Sequence, residues 1–273
     1  MKDFFLLVGL ITALVYTNPL HAQKSDTIRI TKQHLQTGVL REGTHRYLVY
    51  AKMKKDSVRI LTQFWTRTIK RTIHNGLPVI EISQEWEDQD SVMHKVVSRC
   101  DAVTMKPLYH QSWWKTAASR GAPVKTTTET IVDFINGALL YNGKQLSAAD
   151  TAQREQLIRK GFESAQHAPY FLNWHLDLET FPLLPFKNGL TFILPFYDPG
   201  TPSGVKEVAY TVSGSGTLTG YNDQQIDCWL LIHETQGNKE VFWISKRTKE
   251  VLKLEQEING RVYRYKIKLG FSY

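Results

Sequence analysis

Leu252-Lys-Leu-Glu-Gln-Glu-Ile-Asn-Gly-Arg-Val-Tyr-Arg-Tyr-Lys-Ile267 alternates apolar and polar residues on both sides of Asn259-Gly260. That dipeptide accepts the positive φ angles a tight hairpin turn demands. With Asn259-Gly260 as a two-residue turn, Leu254 falls opposite Tyr265, Leu252 opposite Ile267, and Glu255 opposite Arg264 on the other face. Apolar meets apolar and acid meets base, so turn chemistry, register and pairing agree on antiparallel β structure.

His74-Asn-Gly-Leu77 repeats the pattern and places Ile69 opposite Ile82, Trp65 opposite Trp86, and Lys70 opposite Glu81 on the reverse face. The Trp65–Trp86 face also carries Arg67 and Arg71. On a concave face these guanidinium groups border an aromatic trough; at a sheet edge they run out to solvent on their methylene stems. Period-two alternation marks further strands over 46–53, 58–66, 92–99, 130–135, 139–141, 190–196, 207–212, 226–233 and 240–245.

Helix is confined to the middle. Asp150 suits the cap of a helix over 151–165 whose Leu157, Ile158, Gly161, Phe162 and Ala165 share a face. After Pro169, the residues Phe171, Trp174, Leu178 and Phe181 recur at helical spacing until Pro182. The expected fold is therefore mainly β (α+β). A curved antiparallel sheet or half-barrel forms one domain over 23–273, and the helical block between 150 and 185 covers its concave face. Asp101-Ala-Val-Thr104-Met-Lys-Pro-Leu108 and Ser245-Lys-Arg-Thr248-Lys-Glu-Val-Leu252 also echo one another as strand, Thr-centred turn and returning strand.

Lys2, the apolar run Phe4–Val15 and the polar stretch ending at Ala22 read as a secretory signal peptide, residues 1–22, without a lipobox cysteine. The expected location is periplasmic or secreted, and nothing later reads as a transmembrane helix. Removing that segment deletes one Lys and one Asp and leaves the net charge at +8. Outside the cytoplasm a basic surface meets anionic lipid or acidic glycan rather than nucleic acid, or is simply a solvated face. Cys100 and Cys228 are either a disulfide pair or two buried free thiols, since export permits oxidation but sequence does not show proximity.

Four segments together suggest a family: Phe192-Ile-Leu-Pro-Phe-Tyr-Asp-Pro-Gly200, Val212-Ser-Gly-Ser-Gly216, Asp227-Cys-Trp-Leu-Leu231 and Val241-Phe-Trp-Ile-Ser-Lys-Arg-Thr-Lys-Glu-Val-Leu-Lys-Leu254, with a looser likeness over Arg46-Tyr-Leu-Val-Tyr50 and over 101–110. They resemble uncharacterised exported bacterial proteins related to the lipoprotein-localisation carriers. The resemblance implies a half-open β-barrel, covered by helices on its concave side, that holds a lipid-like ligand. Its motifs are structural turns, and no functional residue is carried over from it.

Catalytic signatures are missing. Ser213-Gly-Ser-Gly-Thr217 lacks the order of a nucleophile elbow, and His233-Glu234 has no second His four residues on. His167 and His175 sit eight residues apart, and with Asp177 and Glu179 they do not form the two-histidine i, i+4 pair of a helical zinc site, so a metal is not expected. The reading is a non-enzymatic binding or carrier protein, without cofactor, for a hydrophobic or amphiphilic small molecule. Its candidate ligand residues are Trp65, Arg67, Arg71, Trp86, Phe171, Trp174, Leu178 and Phe181. The alternatives are an envelope accessory protein that binds another protein, or a secreted hydrolase.

Overall fold

The computed structural model describes residues 26–89, 91–116, 126–220 and 223–270, so the segment read as a signal peptide lies outside the described residues. The alternating segments all become strands of one sheet. In chain order they are β1 (Thr27–Arg29), β2 (Gly43–Lys52), β3 (Ile60–His74), β4 (Leu77–Glu87), β5 (Val92–Asp101), β6 (Pro107–Thr116), β7 (Thr126–Asp133), β8 (Ala138–Tyr141), β9 (Lys144–Gln145), β10 (Thr191–Phe196), β11 (Lys206–Thr219), β12 (Gln225–Thr235), β13 (Asn238–Ser245), β14 (Val251–Ile258) and β15 (Val262–Lys268). The 15 strands lie in the order β1-β10-β11-β12-β13-β14-β15-β2-β3-β4-β5-β6-β7-β8-β9. The C-terminal strand β15 pairs with β2, which joins the two halves of the chain into one sheet. All strand pairs are antiparallel except β1 on β10.

The helical block splits in two. α1 (Gln153–Gln166) buries Ile158, Gly161, Phe162 and Ala165 as expected and leaves Leu157 exposed. The second expected helix does not form as one piece. Leu172 is bridged to Phe196 of β10, a 3₁₀ turn covers Trp174–Leu176, a single α-turn, α2, covers Asp177–Thr180, and a last 3₁₀ turn covers Phe181–Leu183. The cause is local: the Leu172 amide donates to the Pro195 carbonyl at 2.8 Å, and the Leu172 carbonyl accepts from Tyr197 at 2.9 Å. These bonds hold Phe171 and Leu172 extended. Pro182 is tolerated at the start of the final turn, where its missing N–H is not needed.

This short segment sets the curvature of the sheet. Leu172 meets β10, Phe181 meets Tyr210 of β11 and Phe242 of β13, Asp177 meets Lys266 of β15, Glu179 meets Arg67 of β3, and His175 meets His94 of β5 and His110 of β6. From β10 to β6, ten strand spacings of about 4.8 Å would cover roughly 48 Å if the sheet were flat. A dozen residues in helical turns span only about 20 Å. The sheet therefore curls around the segment, and the main core, from Trp65, Ile80 and Ile82 to Phe192, Leu231 and Ile244, lies between them.

The curl stops short of a closed barrel. α1 and the loop after β10 occupy the seam and form a second core with Val132, Leu139, Phe162, Phe171 and Tyr197. Close approach requires glycine at two points here. A Cβ on Gly161 would sit 2.6 Å from the Ser203 carbonyl, and one on Gly200 would sit 2.4 Å from Oγ1 of Thr130 on β7. Gly200 also has φ +81°, a left-handed conformation that disfavours a side chain.

The β3–β4 hairpin has the expected register: Trp65 faces Trp86, Ile69 faces Ile82 and Lys70 faces Glu81, around Asn75 and Gly76 at positive φ. The β14–β15 hairpin departs from expectation by one residue, with Ile258 opposite Val262 and Leu254 opposite Lys266 rather than Tyr265. Its loop holds three residues because the Asn259 amide bonds the Gly237 carbonyl of the neighbouring turn and the Arg261 amide closes on Ile258 at 3.0 Å. A shift of one residue exchanges the two faces of a strand. Arg264, Lys266 and Lys268 consequently lie on the concave side.

The two echoed segments form matching turns. Met105 and Lys249 both have positive φ, at 58° and 55°. Their amides return to the Asp101 and Ser245 carbonyls at 2.9 and 3.1 Å. Each turn is fastened by a side-chain oxygen of its first residue, which accepts from the Thr104 or Thr248 amide.

Candidate functional site

The segment 174–180 carries two carboxylates into the concave face, and each meets a cation from a strand. On one side lies Arg67, only 1% exposed. Its Nε donates to Glu179 Oε1 at 2.8 Å, its Nη1 to Gln84 Oε1 at 2.9 Å, and its Nη2 to the His175 carbonyl at 2.6 Å and to Glu179 Oε2. The Gln84 amide donates to the same carbonyl at 2.5 Å. Arg67 therefore does not run out to solvent, because a fixed buried carboxylate and two further acceptors replace its water. Arg71 does run out: it is exposed and caps the Thr37 carbonyl at 2.9 Å, so the two arginines do not border one trough.

Beside this pair lies an aromatic and imidazole cluster in which Trp65, Trp86, His94, His110 and His175 are buried and Trp114 and Trp174 are half-buried. Trp65 stacks on Trp86, His94 on Trp114 and Trp174 on His175, with centroids 3.6, 3.5 and 3.9 Å apart. His94 Nδ1 faces the Trp113 carbonyl at 2.7 Å and must donate, which leaves its Nε2 to accept from His175 Nε2 at 2.9 Å. Burial pushes His94 and His110 down to about 3, and lowers His175 as well, so all three are neutral at pH 7. His167 is exposed and Asp177 and Glu179 are held by cations, so the four candidate metal ligands do not converge.

On the other side the wall opens. Lys266 Nζ donates to Asp177 Oδ2 at 3.1 Å, while Asp177 Oδ1 accepts from the Leu178 amide at 2.7 Å. Arg264 lies next to them with its guanidinium 5.0 Å from the Trp65 ring centroid. Among the described residues no carboxylate pairs with Arg264. These groups face a cleft of about 200 Å³ whose apolar wall is Trp174, Phe196, Tyr210, Phe242 and Leu254. Glu240 and Gln256 complete the polar side. Burial lowers the Arg264 and Lys266 cations from their usual ranges and raises the Glu240 carboxyl, so these three groups are poorly hydrated.

The expected ligand residues thus divide. Trp174 lines the cleft, and Trp65, fully buried, packs beneath Arg264 and Lys266 without lining it itself. Trp86 and Arg67 belong to the sealed side, and Leu178 and Phe181 to the main core. Phe171 sits in the second core against Tyr197 and Phe134. Arg264 and Lys266 escaped the sequence reading because the one-residue register shift turned β15 over, and Tyr210, Glu240 and Phe242 because they stand on β11 and β13, which only the curl of the sheet brings to the cleft. The readable signal was Asp177, a carboxylate amid an apolar stripe, which needs a cation opposite. Cys100 and Cys228 are both buried free thiols, with β13, β14, β15, β2, β3 and β4 between their strands, so no bridge forms.

The profile of the family described as "Protein of unknown function (DUF3108)" matches residues 46–268. Among curated proteins none matches the chain. A crystal structure of a beta-barrel-like protein of domain of unknown function DUF1849 from Brucella abortus is similar at a TM-score of 0.42 and 7% identity, covering 84% of this chain and 98% of that one.

Proposed function

From the premise that the chain belongs to the DUF3108 family, we propose that it is a non-enzymatic binding protein for an amphiphile with an anionic head, working in an exported compartment. The observation that carries this reading is Arg264, an unpaired cation on the floor of a cleft walled by Trp174, Phe196, Tyr210 and Phe242. A head group on Arg264 satisfies a poorly hydrated cation, and the aromatic wall takes the first methylenes of the tail. The cleft volume of about 200 Å³ suits that much of a ligand and not a whole lipid buried in the barrel. Carriage of lipid, as in the lipoprotein-localisation carriers, is the finer form of this proposal and draws on the half-open shape. Against hydrolysis stands Asp177, which is saturated by Lys266 and the Leu178 amide.

Calorimetric titration tests the reading with decanoate and with decyltrimethylammonium, which share a tail and differ in the sign of the head. The expected result is saturable binding of decanoate with a negative heat-capacity change, no binding of the cation, and roughly 10- to 100-fold weaker decanoate binding in Arg264→Gln. Equal binding of both probes, or of decanoate by both proteins, contradicts it. A second reading, an accessory protein that binds another protein, is favoured by the dense filling of the concave face by Leu178, Phe181 and Leu183. It predicts that neither probe binds.

A further inference from the structure

The loop joining β2 to β3 and the first residues of β3 are rich in exposed apolar side chains. Met53, Val58 and Leu61 are 55%, 81% and 75% exposed, and Phe64 follows at 38%. Scattered exposed hydrophobic residues are ordinary, but four within twelve positions form a patch. Leu61 has φ 52° and lies in the bulge where the β2–β3 register shifts between Val49 and Ala51. The same stretch carries Lys52, Lys54, Lys55 and Arg59 against Asp56 alone. Among the described residues none of these four cations is paired with a carboxylate: Lys52 Nζ donates to the Lys55 carbonyl at 3.0 Å, and Arg59 lies 4.9 Å from the Tyr50 ring centroid. Tyr50 in turn stacks on Tyr265 at 5.0 Å. Lys55 shares a shallow pocket with Lys239, Glu255, Glu257, Tyr263 and Tyr265, so of the four cations it is the one nearest to carboxylates, while Lys52, Lys54 and Arg59 do not line that pocket.

The loop shares one rim of the sheet with the cleft mouth. Lys52 is opposite Tyr263 and Asn238 is opposite Ile258, so the β2–β3 loop and the turns before β13 and β15 lie at the same end. Glu240, Gln256 and Arg264 of the cleft stand close to those turns.

We propose that residues 52–61 form a tip that docks on an anionic lipid bilayer. The lysines and Arg59 sit at head-group phosphates, Met53, Val58 and Leu61 enter the acyl boundary, and the cleft mouth faces the same surface. Charge complementarity selects the partner: lysine near an anionic leaflet strengthens attachment about fivefold per residue. Lysine is depleted from protein interfaces, whose anchors are Trp, Tyr and Arg. The tip stands apart from the cleft reading and does not depend on what the cleft holds.

Vesicle co-sedimentation of the chain processed after Ala22 tests the tip, using phosphatidylcholine with one third phosphatidylglycerol against phosphatidylcholine alone at physiological salt. The expected result is attachment to the anionic vesicles only, weakened roughly 25-fold in the double variant Lys54→Gln, Lys55→Gln. The double variant Val58→Ser, Leu61→Ser is expected to lose attachment that survives raised salt in the parent. Both should keep the parent's near-ultraviolet circular dichroism and decanoate titration, which separates failure of the tip from failure of the cleft or the fold. Absence of attachment, equal attachment to both vesicles, or variants that bind like the parent overturns the proposal. Retention on immobilised polyglutamate without vesicle binding overturns it in favour of an acidic protein.

Discussion

Glu179 and Asp177 leave the same short segment and meet cations from strands on opposite sides, yet their surroundings differ. Glu179 and Arg67 are closed in by Gln84, the His175 carbonyl and the tryptophan stack, and every guanidinium nitrogen has an acceptor. Asp177 and Lys266 open into a cleft where the neighbouring Arg264 has no carboxylate partner. A saturated buried pair is structural: it fixes where the segment sits on the sheet, at a desolvation cost that its hydrogen bonds offset. An unsaturated cation beside an apolar wall adds nothing comparable to the fold. On the proposed reading, its free valence is what a ligand uses.

The largest expected effect breaks the saturated side. Glu179→Ala leaves Arg67 buried without its counter-charge and should cost about 3 to 5 kcal/mol in urea unfolding. A loss below about 1 kcal/mol would show that Arg67 reaches water and that the two sides are alike. Trp174→Ala comes next, because Trp174 is half-buried, with one edge in the cleft. It should lose about 2 kcal/mol, short of the 3 to 5 kcal/mol of a full core truncation, together with decanoate binding. A full core-type loss with binding intact would move Trp174 to the structural side.

Acid sharpens the same contrast. His110 is buried and held down to about 3 from 6.5, so the unfolded chain takes up its proton first. Its contribution is complete above pH 6.5 and is lost as pH falls from there towards 3, by up to about 1.4 kcal/mol per pH unit. Asp198, pushed up to about 7 by burial, changes stability in the opposite sense between 3.8 and 7. The clean measurement is therefore the difference between the parent and His110→Gln, whose slope of stability against pH should be flatter by that amount. Parallel curves would mean that His110 is already hydrated in the folded protein.

Much of the fold was legible because local signals agreed. Asn75-Gly76, the alternation around it and the Trp65–Trp86 pair all specified one hairpin, and that register is the observed one. The α1 face was equally readable from its 3.6-residue period. The segment after Pro169 misled because Phe171, Trp174, Leu178 and Phe181 have helical spacing, while hydrogen bonds to β10, distant in sequence, pull its first residues straight. At Asn259-Gly260 the turn dipeptide was right and the loop length wrong, since the deciding bond goes to Gly237 of another hairpin. That single long-range bond hid the basic side of the cleft, Arg264 and Lys266.

Denaturant unfolding with and without decanoate, on the parent and Arg264→Gln, tests the division most directly. Arg264 lies on the open side, so its substitution should change the unliganded stability by less than about 1 kcal/mol. Decanoate at roughly 100 times its dissociation constant should then stabilise the parent by about 2.7 kcal/mol and, at the same concentration, the variant by about 1 kcal/mol or less. Equal stabilisation of the two proteins, or a variant already several kcal/mol less stable without ligand, would contradict the assignment of Arg264 to binding.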